Sequence, residues 1–386
     1  MSLRFAGIQP EAFRQKHNLW LAYASEIGAP LLRLAANAKS RGARTPNTTW
    51  RRGLILGHTH IGDVLYRTCS LPALREYLPG CEWTYLTSTA SAEILSGNPH
   101  VKEVLTSIKG ENSWNLEDGA FADLKSREFD VVLCSNTLRH YPDLALAVAL
   151  GIPNRVAFSG KGFSGLITHP VPLPFPAPYA SYFRAMVADI VGRSPDWRLR
   201  PRVYPSEASL SNAYELWNRF ALGAKPVVAC SLTTRQARGN WPVEVMTAVL
   251  QQARARMDFD VVLCGTSSDS AALQSLGETL PFDVRILAGQ ASLPEFAAFL
   301  RKCAALLTLD SGPRHIGNAV GIPVLFARNL SHSMVEAGPY CDTEIDLAPP
   351  VEFLDDGEVE RVARAQPAGM LADKLVATLS ASKRPA

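Results

Sequence analysis

The sequence predicts an α/β protein built from two halves, each a parallel sheet of the Rossmann type. Three observations carry this. Short apolar runs alternate with helix-period stretches along most of the chain, which requires parallel strands covered by helices on both faces. The same punctuation recurs in both halves: Phe-Asp-Val-Val-Leu-Cys stands at 129–134 and at 259–264, and Gly-Ile-Pro precedes an apolar run at 151–153 and at 321–323. A length of 386 residues suits two domains. The chain is 47% hydrophobic and 19% charged, enough apolar material for two cores. It has no continuous apolar run long enough for a membrane span and no secretory leader pattern. A cytoplasmic location is therefore expected.

In order, residues 10–38 show helical spacing of Phe13, Leu19, Trp20, Tyr23, Ile27, Leu31, Leu32 and Leu34, divided or kinked at Pro30. Lys39–Thr49 is a polar linker. Gly53–Leu56 then reads as a strand, Gly57–Gly62 as a loop and Asp63–Leu78 as a helix stopped by Pro79-Gly80. Further strands are expected at Trp83–Leu86, Val101–Leu105, Val131–Cys134 and Val156–Phe158. The prolines at 170, 172, 174, 176 and 178 make 169–178 an extended loop. A helix follows at Ala180–Val191, and Pro201–Pro205 is the expected hinge. The second half repeats the pattern, with strands at Val227–Cys230, Val261–Gly265, Val284–Leu287, Ala305–Leu309 and Val324–Ala327. Helices are expected at Pro242–Arg254, Asp269–Leu276, Leu293–Lys302, Pro313–Val320 and Pro367–Ser382. The predicted organisation is a basic helical extension (1–50), two sheet domains (51–204 and 205–365) and a C-terminal helix (366–386).

Net charge is +3, but residues 1–52 hold nine Lys/Arg against Glu11 and Glu26, so the rest of the chain is mildly acidic. A basic front on an acidic body argues against a nucleic-acid binder with a distributed cationic face. It fits a local attraction to an anionic membrane surface, or a segment that packs on the core by its apolar face. Seven cysteines without a C-x-x-C pair read as reduced structural thiols.

Three loops can carry chemistry. Gly57-His-Thr-His-Ile-Gly62 has P-loop spacing, but Asp63-Val64 stands where a P-loop needs Lys and Ser/Thr, so Walker-type phosphate transfer is disfavoured. Asp63, at a helix start above a parallel sheet, reads either as a general base or as a helix N-cap. His58 and His60 read as packing or substrate contacts, because no third metal ligand accompanies them. Asp310-Ser-Gly-Pro-Arg-His315 follows an expected strand and opens an expected helix. It is either an anion pocket suited to a diphosphate or an ordinary capped turn. Ser231 to Pro242 carries Thr233, Thr234, Arg235 and Arg238 beyond another strand; it reads as a phosphate-binding loop or a solvated polar one. Arg139 and His140, with Arg67 and Lys161, could form a cationic patch for an acidic acceptor.

Taken together and in this order, the motifs resemble the bacterial lipopolysaccharide heptosyltransferases, glycosyltransferase family nine. The matching residues are Ile61-Gly-Asp-Val-Leu65 with Leu71-Pro-Ala-Leu74, Ser96-Gly-Asn-Pro-His-Val101 with Glu103-Val104, Thr233-Thr-Arg235 with Trp241-Pro242, and Ala288-Gly-Gln-Ala-Ser-Leu293. Asp310-Ser-Gly-Pro with His315, Gly321-Ile-Pro-Val324 and Gly338-Pro-Tyr340 complete the set, which spans about residues 51–345. The resemblance implies a GT-B architecture and an inverting, metal-independent transferase with no cofactor. The implied partners are a nucleotide-diphosphate sugar donor, ADP-heptose, and an anionic glycan or glycolipid acceptor. It implies Asp63 as catalytic base. Thr233, Thr234, Arg238, Asp310, Ser311, Gly312 and His315 would bind donor, and Arg139 and Lys161 acceptor. The Lys that the family carries just before Trp-Pro is replaced here by Gly239-Asn240, leaving Arg238 as the nearest cation. An epimerase or a non-catalytic nucleotide-sugar binder on the same architecture are the alternatives.

Overall fold

The computed structural model describes residues 7–13, 16–42, 44–57, 60–109, 114–116, 118–134, 141–192, 200–233, 240–351 and 353–381. The chain divides into two compact units, Met1–Leu199 and Arg200–Ala386.

Unit 1 contains β1 (Arg52–Leu56), β2 (Glu82–Thr87), β3 (Glu103–Thr106), β4 (Ile108–Lys109), β5 (Trp114–Asn115), β6 (Val131–Cys134), β7 (Asn154–Phe158) and β8 (His169–Val171). Six of these form a parallel sheet in the order β3-β2-β1-β6-β7-β8, while β4 and β5 pair as a separate antiparallel ribbon. Unit 2 contains β9 (Val227–Ser231), β10 (Asp260–Leu263), β11 (Val284–Ile286), β12 (Ala305–Leu309), β13 (Val324–Ala327) and β14 (Glu344–Asp346). Its sheet is also parallel, in the order β11-β10-β9-β12-β13-β14. Both orders start at a central strand, run outward to one edge, return to the centre and run outward to the other. This is the doubly wound topology that the alternating pattern predicts. The central strands β1, β6, β9 and β12 are apolar runs because both of their faces are covered.

Several elements differ in detail from expectation. The N-terminal helical pattern is two helices, Lys16–Ile27 and Ala29–Lys39, with Pro30 in the first turn of the second, where its missing N–H costs no helix bond. The 63–78 pattern likewise splits into Ile61–Thr68 and Leu71–Tyr77, the second opened by Pro72. The proline run begins as a strand: β8 includes Pro170, which is tolerated because β8 lies at the sheet edge. The C-terminal helix Ala368–Ala381 buries Leu371, Leu375 and Leu379 in the core of unit 2, beside Val249 and Leu250 of helix Val243–Arg254.

The N-terminal extension is fastened to unit 1. Ala22, Ser25 and Ala36 are buried. Phe163 N–H donates to Ser25 Oγ at 2.8 Å, and Ser164 N–H to Glu26 Oε1 at 2.8 Å. A Cβ on Gly165 would stand 2.3 Å from the Ala29 carbonyl oxygen, so only glycine admits this approach. All seven cysteines are free and six are buried. Burial first, then the Asp130 charge, pushes the Cys81 thiol up to about 12. Burial likewise raises Cys264 to about 12, so neither thiol is a nucleophile at neutral pH.

Candidate active site

Ligands of doubly wound sheets bind outside the carboxyl ends of the strands, where strand order reverses. In unit 1 that point lies between β1 and β6, paired as Leu56 to Cys134. β1 ends at Gly57, whose N–H donates to the Leu86 carbonyl at 2.7 Å. A Cβ at Gly57 would meet the Tyr85 ring at 2.3 Å and the Leu86 carbonyl oxygen at 2.8 Å. At Gly57 the backbone thus lies close against the end of β2.

Asp63 lies in the first turn of that helix and is half-buried. The cap position itself belongs to His60, in extended conformation and without a side-chain cap bond. The N-cap reading of Asp63 is therefore corrected: it sits three residues inside, where the positive end of the helix favours a carboxylate. Arg67, one turn on and 5% exposed, donates from Nη1 to the Asp63 carbonyl oxygen at 3.1 Å. The charges of Arg67 and Asp63 both act on the buried Tyr85 hydroxyl. Burial pushes that phenol up, the Arg67 charge draws it down, and the Asp63 charge pushes it up again. Asp63, Arg67 and Tyr85 thus form one electrostatic cluster; the last two carry no motif signal that would have paired them with Asp63.

In unit 2 order reverses between β9 and β12, paired as Ser231 to Thr308. Thr233 lies just beyond β9 and is half-buried. From β12 the chain enters Asp310, then Ser311 as N-cap, then helix Gly312–Val320. Ser311 makes no side-chain cap bond; its hydroxyl lies 3.4 Å from the Leu309 carbonyl oxygen. The helix start is therefore uncapped by a side chain, an arrangement open to an anion. His315 is 5% exposed, with Nδ1 2.9 Å from the Tyr340 hydroxyl.

Arg314 holds this turn in place. Its side chain is fully buried and lies over the Phe326 ring at 3.6 Å. It donates to Asp310 Oδ1 at 2.8 Å, to Glu344 Oε1 at 2.5 Å, and to the carbonyls of Ala337 and Gly338 at 2.8 and 2.7 Å. Glu344 also accepts from Asn318 at 2.8 Å and from Tyr340 N–H at 2.7 Å. Burial alone would raise the Asp310 carboxyl; the Arg314 and His315 charges outweigh it and hold Asp310 below the usual carboxylate range. Asp310 is thus an ionised acceptor fixed at the switch point. The roles of Arg314 and Glu344 were not foreseen from sequence, although Arg314 stands inside the motif.

The structure brings Asp310, Ser311, Gly312 and His315 together on one strand–helix junction, with Thr233 on the neighbouring strand's exit. Thr234, Arg238, Arg139, His58 and His140 lie outside the described residues. Lys161 is 5% exposed; its Nζ donates to the Ala12 carbonyl at 2.6 Å and sits 4.4 Å from the centre of the Phe13 ring. Its charge is thereby engaged with the N-terminal extension, which argues against its expected role on an acceptor.

The family model of glycosyltransferase family 9 (heptosyltransferase) matches residues 122–345, more than half of the chain. The chain belongs to glycosyltransferase family 9. It is accordingly a glycosyltransferase. The match takes in Thr233 and the Asp310–His315 turn and begins after Asp63. A similar curated protein is the lipopolysaccharide core heptosyltransferase OpsX of Haemophilus influenzae, 22% identical over 295 residues, 74% of this chain and 81% of that protein. Among solved structures, a glycosyl transferase family 9 protein from Veillonella parvula aligns with a TM-score of 0.73 at 18% identity, over 88% of this chain and 99% of its own. The Escherichia coli ADP-heptose lps heptosyltransferase II aligns with a TM-score of 0.66 at 19% identity, over 85% and 98%. At these identities the two structures establish that the family 9 fold is shared, with its two Rossmann-like sheets.

Proposed function

We propose that the protein transfers a heptose from ADP-heptose to a hydroxyl of a lipopolysaccharide-core or related glycan acceptor, with inversion and without a metal ion. It would act in the cytoplasm, at the membrane surface that presents the acceptor. The observation that carries the reading is the pair of switch-point clusters. One offers a carboxylate in the first turn of a helix, the other an uncapped helix start beside a fixed, ionised Asp310. The names of the curated relatives support heptose as the sugar.

In this reading the acceptor hydroxyl attacks the anomeric carbon as the bond to the diphosphate breaks, and the proton passes to Asp63. The departing ADP takes the bonding electrons. The charge growing on it is met by the first-turn amides of helix Gly312–Val320 and by His315. Asp310 accepts from donor-sugar hydroxyls, and Thr233, Thr234 and Arg238 bind phosphate oxygens. Arg139 is assigned to the anionic acceptor.

Incubation of the full chain with ADP-heptose and a deacylated core acceptor, followed by mass spectrometry, tests this. A glycosylated acceptor and free ADP are expected. An isomerised sugar nucleotide would point to an epimerase, and tight binding without turnover to a binder; either would overturn the proposal. In the same assay Asp63→Asn is expected to lower kcat by roughly 10²–10⁴-fold, the usual contribution of general base catalysis, with little change in donor KM. A raised donor KM with unchanged kcat would remove Asp63 from the role of base.

A further inference from the structure

Among the described residues, five of the eleven exposed large apolar side chains crowd into one short stretch: Trp20, Leu21, Ile27, Leu31 and Leu34. Trp20 is 71% exposed, Ile27 and Leu31 are 74% and Leu34 is 69%. These residues are not exposed for want of a seated helix. The opposite side of the same two helices is buried through Ala22, Ser25 and Ala36, and is hydrogen-bonded to Phe163 and Ser164. A packed helix pair that keeps a second apolar face outward signals a surface with a partner.

The charge of this segment selects the partner. No Asp or Glu occurs from Ile27 to Gly62. Glu26 accepts hydrogen bonds from the N–H and hydroxyl of Ser164. Arg33, Lys39, Arg41 and Arg44 are all exposed. A second copy of the chain would set this net-positive segment against itself across a two-fold axis, with Glu26, its one acid, already engaged by Ser164. The helices hold 12 and 11 residues, about 18 and 16 Å at 1.5 Å per residue. That is too short to cross a hydrocarbon layer of about 30 Å. Basic and apolar residues on short helices suit the plane of a bilayer interface, where Trp rings settle at headgroup depth.

We propose that this face docks on an anionic lipid bilayer, with Trp20, Ile27, Leu31 and Leu34 at the acyl boundary and the cations over the headgroups. Its use, holding the enzyme against a lipid-linked acceptor, rests on the function proposed above; the docking itself does not. The test is flotation of the full-length protein with vesicles of phosphatidylethanolamine and phosphatidylglycerol, against vesicles of phosphatidylcholine alone. Binding to the anionic vesicles is expected, weakened by salt, with at least about tenfold less bound for Trp20→Ser/Ile27→Ser/Leu31→Ser. That variant is expected to retain transfer to a deacylated acceptor, which also reports that it folds. Should it fail to fold, quenching of Trp fluorescence by brominated phosphatidylglycerol replaces it: quenching is expected in the native protein and a marked loss of it in Trp20→Phe. The proposal is overturned by absence of binding to anionic vesicles, by equal binding of the folded triple variant, by equal quenching in Trp20→Phe, or by a lipid-independent dimer that the triple variant abolishes. Vesicle binding needs neither donor nor acceptor, so its failure is separable from failure of the transfer reaction.

Discussion

Replacing Arg314 with Met removes one buried cation from between two carboxylates while keeping most of the side chain's length. In the native structure the guanidinium meets Asp310, Glu344 and the carbonyls of Ala337 and Gly338. Met would still lie over Phe326 but satisfy none of the four. Glu344 would keep Asn318 and the Tyr340 amide, yet its charge and that of Asp310 would be left without their buried counter-ion. Removing one partner of a buried ion pair costs about 3–5 kcal/mol, because the other charge stays desolvated. For a unit the size of Arg200–Ala386, each kcal/mol shifts Tm by about 2–4 °C, so a fall of about 6–20 °C is expected. Thermal unfolding followed by circular dichroism reads this, and calorimetric titration with ADP-heptose reads weakened donor binding as the Asp310–His315 turn loosens. The triple variant Arg314→Met/Asp310→Asn/Glu344→Gln should recover much of the loss, since it leaves no unpaired charge. A single variant melting within 2 °C of the native protein (about 1 kcal/mol or less on the same scale) would show that the ion cluster does not hold the turn.

Two further outcomes follow from the same geometry. Gly57→Ala would drive a methyl into the Tyr85 ring and the Leu86 carbonyl; it is expected to cost about 1–3 kcal/mol in urea unfolding and to lower transfer by displacing the helix of Asp63. Native stability with native activity would show that the loop adapts. Asp310 is held below its ordinary carboxylate value of 3.8, so its stabilising contribution is complete above that value and disappears as pH falls through the folded value. The difference in Tm between the native protein and Asp310→Asn should therefore shrink from about pH 5 towards pH 3, while the charge gained by His315 between pH 7 and about pH 5 adds to it; a difference that grows from about pH 5 to pH 3 would reverse the sign of the shift.

Strands β6, β9, β12 and β13 were legible because a strand covered on both faces is mostly apolar; β7 was legible only over Val156–Phe158, since its buried start is Asn154-Arg155. β14 was not: Glu-Ile-Asp resembles surface sequence, yet it pairs with β13 at the sheet edge, Val324 opposite Glu344. The helices Glu207–Arg219 and Asp356–Arg364 were missed for a related reason, since most of their length faces solvent and only a few residues, such as Leu216, Trp217 and Val359, mark the core side. Glycine and proline located most of the breaks but not which side of each would be helical. Pro30 and Pro72 open helices instead of ending them.

The site divides along the same line between local and non-local information. Asp310, Ser311, Gly312 and His315 share one turn, so spacing alone could nominate them. That Thr233 exits next to them depends on β9 pairing with β12, a contact between strands more than 70 residues apart in sequence. What makes Asp310 an ionised, immobile acceptor is less local still. Arg314 reaches Glu344 because β13 pairs with β14 and because Ala337 and Gly338 turn their carbonyls to the same guanidinium. A buried arginine between two acids has no signature in a linear pattern, since Arg314 and Glu344 each read as surface. The chemistry of the donor side therefore rests on residues that touch no donor in the proposed reaction, and mutations at Glu344 should disturb donor binding as surely as mutations at Asp310 itself.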